Sequence, residues 1–354
     1  MLNIVFAIIA IPFMPVFMYG QVGDFASQNK AAVSDPPSLE DGRVLGEKKE
    51  KDDFSQKPKK EGGNFQKYNL FPLDSNTSAT FVPVRKKDYA DLKIWAGSSV
   101  VVDADSGTLL HYENGRKRTQ IASLTKVMTA ILAVENIEDL KKEEIVITEK
   151  ALNVPGTVVG CPTSTFCNGN QMYKGERVKA IDLLRAMLLN SANDAATALG
   201  MHIAGDNEKF VKMMNDRAKE LGLKDTNFCT PSGLEIDGKE DQCYSSAYDI
   251  ARIAVTSLKY DIIWDTMKIP EGKFYSADGK YMHELKNTDI LLGDISNCLG
   301  GKTGFTPMAG KSLLLGATDS SQKHRIIAVI LNDENRWEDM KSLVSWTFNN
   351  YEWR

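Results

Sequence analysis

The sequence predicts an α+β fold in which one sheet is assembled from segments near both ends of the folded region. Strand patterns occur early, at residues 99–110 around an Asp-Ser-Gly turn, and late, at residues 311–318 and 324–331. Between them the chain has mainly helical periodicity. Strands from such distant segments can bury their apolar faces in one shared core, so we expect helices to flank a common sheet.

The helices are predicted from apolar spacing and from stop signals. In residues 121–136, Val127, Ala130, Ile131 and Val134 have the spacing of a helix with one buried face, and Ser123 falls in its first turn. Gly222 is a typical residue for ending a helix. Further helices are predicted at residues 179–189, 192–204, 207–221 and 336–348.

Composition limits the function and the organisation of the chain. Its 354 residues carry a formal net charge of -4, which argues against nucleic acid as a partner. Residues 1–20 are almost wholly apolar and are expected to be a signal peptide or an N-terminal membrane anchor. Residues 21–87 are rich in charged residues, Ser, Gly and Pro, so we expect a disordered linker before a folded domain at 88–354. Either N-terminal alternative directs that domain out of the cytoplasm.

Three short motifs with chemical potential stand in order along the chain: Ser123-x-x-Lys126, Ser191-x-Asn193 and Lys302-Thr303-Gly304. Singly they are weak, because Ser-x-x-Lys also occurs at Ser27 and Ser320, where no chemistry is expected. The ordered set in its predicted structural setting is what carries information.

The first motif suits a nucleophile and its base. On a helix, residues i and i+3 share a face, so the amine of Lys126 can lie beside the hydroxyl of Ser123. A lysine with a pKa of about 10.4 cannot accept a proton at neutral pH, so the pKa of Lys126 must be lowered. Burial and a second nearby cation both lower it, which is a physical reason for Lys302 to approach the same site.

The remaining motif residues suit the other steps of an acyl transfer. The N–H of Ser123, at a helix start, can donate to an oxyanion, and the N–H of Phe305 is the candidate second donor. Gly304 lets the backbone approach a substrate closely. Ser191 can relay a proton to the leaving amine, and the amide of Asn193 can hold a peptide carbonyl or the amine of the base.

These motifs resemble those of the low-molecular-mass penicillin-binding proteins, the serine D-Ala-D-Ala carboxypeptidase family. The likeness extends over residues 94–348 and includes the stretches at 121–130, 190–196, 230–234 and 301–306. It implies a β-lactamase/transpeptidase-like, three-layer α/β/α fold. In that fold a mostly antiparallel sheet is flanked by helices and has a helical subdomain beside it.

The resemblance also implies the roles of individual residues. Ser123 is then the acyl-enzyme nucleophile, Lys126 its base, and Ser191 with Asn193 the second catalytic pair. The substrate carboxylate is expected at a binding site that includes these residues: Lys302, Thr303, Gly304, Phe305 and Arg336. Arg336 is included because it stands ten residues before a tryptophan, where the family has a carboxylate-binding arginine.

The implied substrates are peptidoglycan stem peptides that end in D-Ala-D-Ala, with β-lactams as covalent inhibitors and with no metal or cofactor. Three alternatives stay open: an endopeptidase of peptidoglycan cross-links, a class A-like β-lactamase and a non-catalytic β-lactam- or wall-binding module. The string at 149–153 superficially resembles the glutamate motif of class A β-lactamases, but it precedes Ser191 instead of following it. We therefore interpret Glu149 as a surface charge.

Other hydrolase classes lack candidate residues in this sequence. There is no G-x-S-x-G elbow for a Ser-His-Asp triad. The four histidines form no H-E-x-x-H or comparable cluster, which argues against a metallopeptidase. We interpret them as ordinary surface or core residues: His111, His202, His283 and His324.

Five cysteines in an exported chain suggest disulfides, although the sequence alone leaves the connectivity open. The nearest pairs are Cys161 with Cys167 and Cys229 with Cys243, and Cys298 is then left over as a small buried residue. By the resemblance, residues 160–168 form an insertion in a loop that borders the cleft. The sequence ends soon after the catalytic region, so any membrane attachment is expected at the N-terminal segment.

Overall fold

The structure of the protein is a computed structural model that describes residues 81–161 and 167–354. Its strands are β1 (Pro83–Arg85), β2 (Ser98–Asp103), β3 (Leu109–Glu113), β4 (Glu144–Val146), β5 (Arg177–Lys179), β6 (Glu271–Tyr275), β7 (Met282–Lys286), β8 (Cys298–Thr306), β9 (Gly310–Thr318), β10 (Arg325–Leu331) and β11 (Tyr351–Trp353). Its helices are α1 (Lys126–Asn136), α2 (Glu149–Leu152), α3 (Ala180–Leu189), α4 (Asn193–Ala204), α5 (Asn207–Glu220), α6 (Ala247–Ser257), α7 (Asp261–Met267) and α8 (Arg336–Asn350).

A central antiparallel sheet joins the two ends of the described chain. Its strands lie in the order β3-β2-β10-β9-β8, and each neighbouring pair is antiparallel. The register sets Val101 of β2 opposite Ala328 of β10. Both strands have continuous apolar runs because helices cover both faces of the sheet. The predicted pairing of early and late strands is confirmed, and β8 is left as an outer strand.

The side chains of this sheet alternate between two cores. Val101 and Ala328 pack in one core with Leu343 of α8. Val100 and Ile327 point to the opposite face and pack in a larger core with residues of α1, α3, α4 and α6. Because successive strand residues face opposite sides, one sheet separates these two layers of helices. The predicted α+β class with three layers is confirmed.

Most predicted helices are found within one or two residues of their expected bounds. The segments at 179–189, 192–204, 207–221 and 336–348 correspond to α3, α4, α5 and α8. Residues 121–136 differ at their start, where Ala122–Thr125 is a short 3-10 helix that precedes α1. The two-stranded sheets β1–β11, β4–β5 and β6–β7 were not predicted. In β6, for example, only Phe274 is buried, so the strand has no alternating apolar pattern.

The predicted boundary between linker and domain differs from the structure. Residues 83–85, expected at the end of a disordered linker, form β1 and pair with β11, where Pro83 lies opposite Trp353. This pairing rests on backbone hydrogen bonds to the far end of the chain, which composition does not reveal. The expected signal peptide or anchor at 1–20, and the linker up to residue 80, lie outside the described residues. No described helix is both long enough and apolar enough to cross a membrane.

Two disulfides join the cysteine pairs that are nearest in sequence. They are Cys161–Cys167 and Cys229–Cys243, and Cys298 remains a free thiol. Burial raises the pKa of the Cys298 thiol to about 11, so this thiol is weakly reactive. Residues 162–166 of the expected insertion lie outside the described residues.

Replacing both Cys229 and Cys243 by Ser is expected to lower the free energy of unfolding by about 3 kcal/mol, because the bridge closes a loop of 14 residues in the unfolded chain. Urea denaturation of the double variant and its parent measures this difference. Cys298→Ser is the matched control, which removes a thiol without opening a loop. An unchanged midpoint in the double variant would contradict the prediction.

Candidate active site

A cavity of about 700 Å³ opens beside the outer strand β8. It lies where this strand meets the start of α1, the start of α4 and the loop that the Cys229–Cys243 bridge closes. Elements from four distant parts of the chain therefore share one opening. The described residues that line it are Ser123, Gly156, Thr157, Ser191, Asn193, Ser232, Gly233, Leu234, Glu235, Thr288, Thr303, Phe305, Thr306, Pro307 and Arg336.

Lys126 lies under the floor of the cavity and is fully buried. Its Nζ lies 2.8 Å from Ser123 Oγ and donates to Asn193 Oδ1 at 2.8 Å and to the carbonyl oxygen of Ser232 at 2.7 Å. A neutral amine has two N–H donors and one lone pair. Two carbonyl-type acceptors and one hydroxyl match that set, with the lone pair directed at the hydroxyl of Ser123.

The environment of Lys126 favours this neutral form. Burial lowers its pKa well below the usual value, because the charged amine loses hydration, and the nearby Lys302 lowers it further. The carboxylate of Asp194 acts in the opposite direction. The effect of Asp194 is the smallest of the three, so the pKa of Lys126 stays lowered. An unprotonated amine can accept the proton of Ser123 at neutral pH, as a base must.

The loop that supplies the Ser232 carbonyl approaches Ser123 very closely. A Cβ at Gly233 would lie 1.9 Å from the carbonyl oxygen of Ala122, and the φ of this glycine is +84°. Only glycine fits both conditions. Ala122 itself has a φ of +47°, which is a strained conformation for a residue with a side chain. The backbone turn before Ser123 and the loop against it therefore fix the nucleophile beside its base.

Ser191 and Lys302 form a second hydroxyl and amine pair. Lys302 Nζ donates to Ser191 Oγ at 3.0 Å and to the carbonyl oxygen of Thr303 at 3.1 Å. Ser191 has a φ of +60°, an unusual conformation that directs it from the turn before α4. Asn193, the first residue of that helix, donates through Nδ2 to the Pro155 carbonyl oxygen at 2.8 Å. This bond orients its Oδ1 toward Lys126.

The charge of Lys302 depends on its burial and on two charged neighbours. Burial lowers the pKa of Lys302 to about 7; Asp289 raises it and Arg336 lowers it. Asp289 is 4% exposed, and its Oδ2 has no hydrogen-bond partner among the described residues. This carboxylate therefore acts on Lys302 through space, at a position where water does not screen it.

Arg336 gives the cavity a fixed positive charge. Its guanidinium donates to the carbonyl oxygen of Gly304 at 3.1 Å and stacks over the ring of Trp337 at 4.3 Å. It is the first residue of α8, where the helix dipole disfavours a cation. Arg336 therefore contributes little to helix stability, but the guanidinium, the helix start and Lys302 together form a suitable site for a carboxylate.

The outer strand β8 runs against the turn that carries Ser123. A Cβ at Gly304 would lie 2.7 Å from the carbonyl oxygen of Ile121, so glycine is required where strand and turn meet. Phe305 follows it and is 59% exposed at the cavity. Thr303 is bonded through its hydroxyl to that of Thr288 at 2.6 Å. The oxyanion site formed by the N–H groups of Ser123 and Phe305 stays a prediction.

All nine predicted site residues lie around this cavity. Six line it, and Lys126, Lys302 and Gly304 each contact at least one of the six. Three residues that contribute to the site were not predicted from the sequence. Ser232 acts through a backbone carbonyl and gives no side-chain signal, whereas Asp289 and Glu235 belong to no motif. The stretch at 230–234 is part of the resemblance to the family. Its glycine, Gly233, was the signal that could have placed this loop at the site.

Glu149 and the histidines lie outside the cavity lining. Glu149 begins α2 and pairs with Lys174 at 2.8 Å on the surface, as a surface charge was expected to do. His283 is the most buried histidine; it contacts Glu176 at 2.8 Å and the Asn170 carbonyl oxygen at 2.7 Å. These contacts tie the β6–β7 hairpin to the loop before β5.

Comparison with known proteins gives consistent matches. The family described as D-alanyl-D-alanine carboxypeptidase matches residues 85–335. The D-alanyl-D-alanine carboxypeptidase DacF of Bacillus subtilis is 32% identical over 278 residues, which are 75% of this chain and 65% of that protein. The chain thus spans just under two thirds of the length of this relative.

Solved structures are similar over the same region. A D-alanyl-D-alanine carboxypeptidase from Mycobacterium tuberculosis has a TM-score of 0.65 and 26% identity, covering 75% of this chain and 96% of the other. Penicillin-binding protein D2 from Listeria monocytogenes, in a cefotaxime-bound form, has a TM-score of 0.60 and 30% identity, covering 73% and 99%. These similarities agree with the predicted transpeptidase-like fold.

Replacing Asp289 by Asn is expected to lower the pKa of Lys302 further below 7, because the Asp289 carboxylate raises that pKa against the effect of burial. Carbon-13 NMR of protein labelled at lysine Cε follows the titration directly. The matched control is Asp294→Asn, which removes an exposed carboxylate that pairs with Lys341. An unchanged or raised Lys302 pKa in the Asp289 variant would show that the two groups are not coupled.

Proposed function

The chain belongs to the D-alanyl-D-alanine carboxypeptidase family, and we propose that it removes the terminal D-alanine from peptidoglycan stem peptides ending in D-Ala-D-Ala. The reaction proceeds through an acyl-enzyme on Ser123. One observation carries this proposal: the buried amine of Lys126 lies 2.8 Å from the Ser123 hydroxyl, with its pKa lowered well below the usual value. A hydroxyl beside an unprotonated amine is an activated nucleophile.

Acylation requires two proton transfers, one from the nucleophile and one to the leaving amine. Lys126 takes the proton of Ser123 as Oγ attacks the carbonyl carbon of the penultimate D-alanine. The N–H groups of Ser123 and Phe305 stabilise the oxyanion that forms. When the peptide bond breaks, the hydroxyl of Ser191 gives its proton to the amine of the departing D-alanine and takes one from Lys302 Nζ, to which it is bonded at 3.0 Å. The proton held by Lys126 passes to Lys302 through water in the cavity, which leaves Lys126 neutral again. Water then attacks the ester, Lys126 accepts its proton and returns it to Ser123 Oγ, and the shortened peptide is released.

The terminal carboxylate of the substrate is bound by the cations at one side of the cavity. Lys302, Thr303 and Arg336 offer an amine, a hydroxyl and a guanidinium there. Charge-assisted hydrogen bonds to a carboxylate are about twice as strong as neutral ones. A substrate without a free C-terminal carboxylate would leave these donors unpaired, which explains the preference for the last residue of a chain.

We further propose that β-lactams acylate Ser123 and leave it slowly. The similarity to a penicillin-binding protein described with cefotaxime bound supports this proposal. Glu149 lies at the surface and pairs with Lys174, which supports slow release because a class A β-lactamase uses a glutamate to activate water. We therefore expect β-lactams to inhibit this protein, and we do not expect the protein to hydrolyse them rapidly.

The proposed location is the cell envelope, outside the cytoplasm. Peptidoglycan lies there, and the disulfides Cys161–Cys167 and Cys229–Cys243 persist in oxidising compartments. The proposed organisation has an N-terminal targeting or anchoring segment, a linker and a catalytic domain. Membrane attachment through residues 1–20 remains a prediction from sequence.

Ser123→Ala is expected to abolish labelling by fluorescent penicillin and to lower D-alanine release at least about 1,000-fold, because Ser123 Oγ is the hydroxyl oxygen that Lys126 Nζ contacts. Gel fluorescence and a D-alanine assay measure both effects. Ser320→Ala is the matched control, since Ser320 begins an identical Ser-x-x-Lys string in an exposed turn. Unlabelled wild-type protein would refute the enzyme proposal, rapidly fading label would favour a β-lactamase, and label without D-alanine release would favour a sensor.

Arg336→Gln is expected to lower kcat/KM for a peptide ending in D-Ala-D-Ala by about 10-fold to 100-fold, the value of a hydrogen bond between charged partners. The control substrate is the same peptide with a C-terminal amide, on which wild-type and variant should differ little. Equal losses on both substrates would mean that Arg336 supports the fold and does not bind the carboxylate.

A further inference from the structure

The direction of a bound peptide follows from the order of groups along β8. This strand is an outer strand of the central sheet, and an extended peptide can lie along its free edge. In the proposed reaction, the terminal carboxylate lies at Thr303 and the scissile carbonyl lies at the N–H of Phe305. The residues that precede the scissile bond must then continue toward Thr306 and Pro307.

A carboxylate stands at that end of the cavity. Thr306 Oγ1 donates to one carboxylate oxygen of Glu235. Of the described residues that line the cavity, Glu235 is the only acid and Arg336 is the only base. In the part of the chain that the structure covers, no lysine, arginine or histidine forms an ion pair with Glu235. Of the side chains that line the cavity, one therefore carries a positive charge and one a negative charge, and Lys302 lies buried behind the wall.

The position of Glu235 is held from both sides. It lies in the loop closed by the Cys229–Cys243 bridge, directly after Gly233 and Leu234. Within that loop Thr230 Oγ1 donates to the carbonyl oxygen of Leu234 at 2.9 Å, and β8 fixes Glu235 through Thr306. A half-buried carboxylate held this way loses little side-chain entropy when it binds a cation.

We propose that Glu235 selects stem peptides in which the residue before the two D-alanines carries a free side-chain ammonium group. This inference rests on the proposed carboxypeptidase activity. An extended peptide advances about 3.3 Å per residue, so the residue before the penultimate D-alanine lies beside Thr306 and Pro307. A long side chain with a terminal amine at that position reaches Glu235, while the C-terminal carboxylate reaches Arg336.

A second role for Glu235 has different consequences. A carboxylate in the cavity could act as a general base for the water that hydrolyses the acyl-enzyme. Its loss would then slow the turnover of every substrate by the same factor. Selection of an ammonium group instead changes the ratio of the kcat/KM values of two substrates that differ only in that charge. This ratio therefore separates the two roles.

The test compares acetyl-L-Lys-D-Ala-D-Ala, whose side-chain amine is free, with the same peptide acetylated on that amine. Wild-type protein should show a kcat/KM about threefold to fivefold higher for the free amine, as a partly exposed ion pair provides. The ratio should fall toward one as salt is raised. Glu235→Gln should bring the ratio to about one, and Glu235→Lys should bring it below one.

Asp237→Asn is the matched control, because Asp237 is an exposed acid in the same loop that does not line the cavity. This variant should keep the wild-type ratio. Equal cleavage of both peptides by wild-type protein, or a wild-type ratio in Glu235→Gln, would overturn the role of Glu235 and leave the carboxypeptidase proposal intact. Equal loss on both peptides in Glu235→Gln would assign the general-base role instead. Cleavage of neither peptide by wild-type protein would overturn the proposed activity itself.

Discussion

Two lysine amines are buried beside one cavity, each with its own set of hydrogen-bond partners, and the rest of the site depends on how the fold tolerates them. Removing a charged amine from water costs several kcal/mol unless the group is paired or gives up its proton. Lys126 gains two carbonyl-type acceptors and a hydroxyl but no paired carboxylate, so the neutral form is favoured. Lys302 keeps Asp289 nearby, and its pKa stays near 7. Different neighbours thus give two chemically identical side chains different protonation behaviour.

The fold explains how these groups meet. The sheet joins the early strand β2 to the late strands β8, β9 and β10, and the helices between them pack on one face. This arrangement brings the start of α1, the start of α4 and β8 to one edge. Close backbone contacts then fix the geometry: Gly233 lies against Ala122, and Gly304 lies against Ile121. Larger residues at either glycine would separate nucleophile and base.

Features that depend on side-chain type and local spacing were predictable from the sequence. Ser123 and Lys126 are three residues apart, and the apolar periodicity of α3 and α4 was sufficient to locate both helices. Other features depend on long-range backbone contacts, which leave no local pattern. The Ser232 carbonyl, the pairing of β1 with β11 and the buried Asp289 all belong to this kind. Glu235 was missed because a single acid in a loop is indistinguishable from a surface charge until the cavity is known.

The central claim is that Lys126 is neutral, and therefore a base, near neutral pH. The most direct test is the second-order rate constant for acylation of Ser123 by penicillin, measured from pH 4 to pH 10. Because Lys126 and Lys302 interact, the apparent pKa belongs to the pair. The account predicts a rate that rises through an apparent pKa well below 10.5 and no longer changes with pH at the alkaline end of the range. A rate that keeps rising tenfold per pH unit up to pH 10 would show that Lys126 remains charged, and would contradict the account.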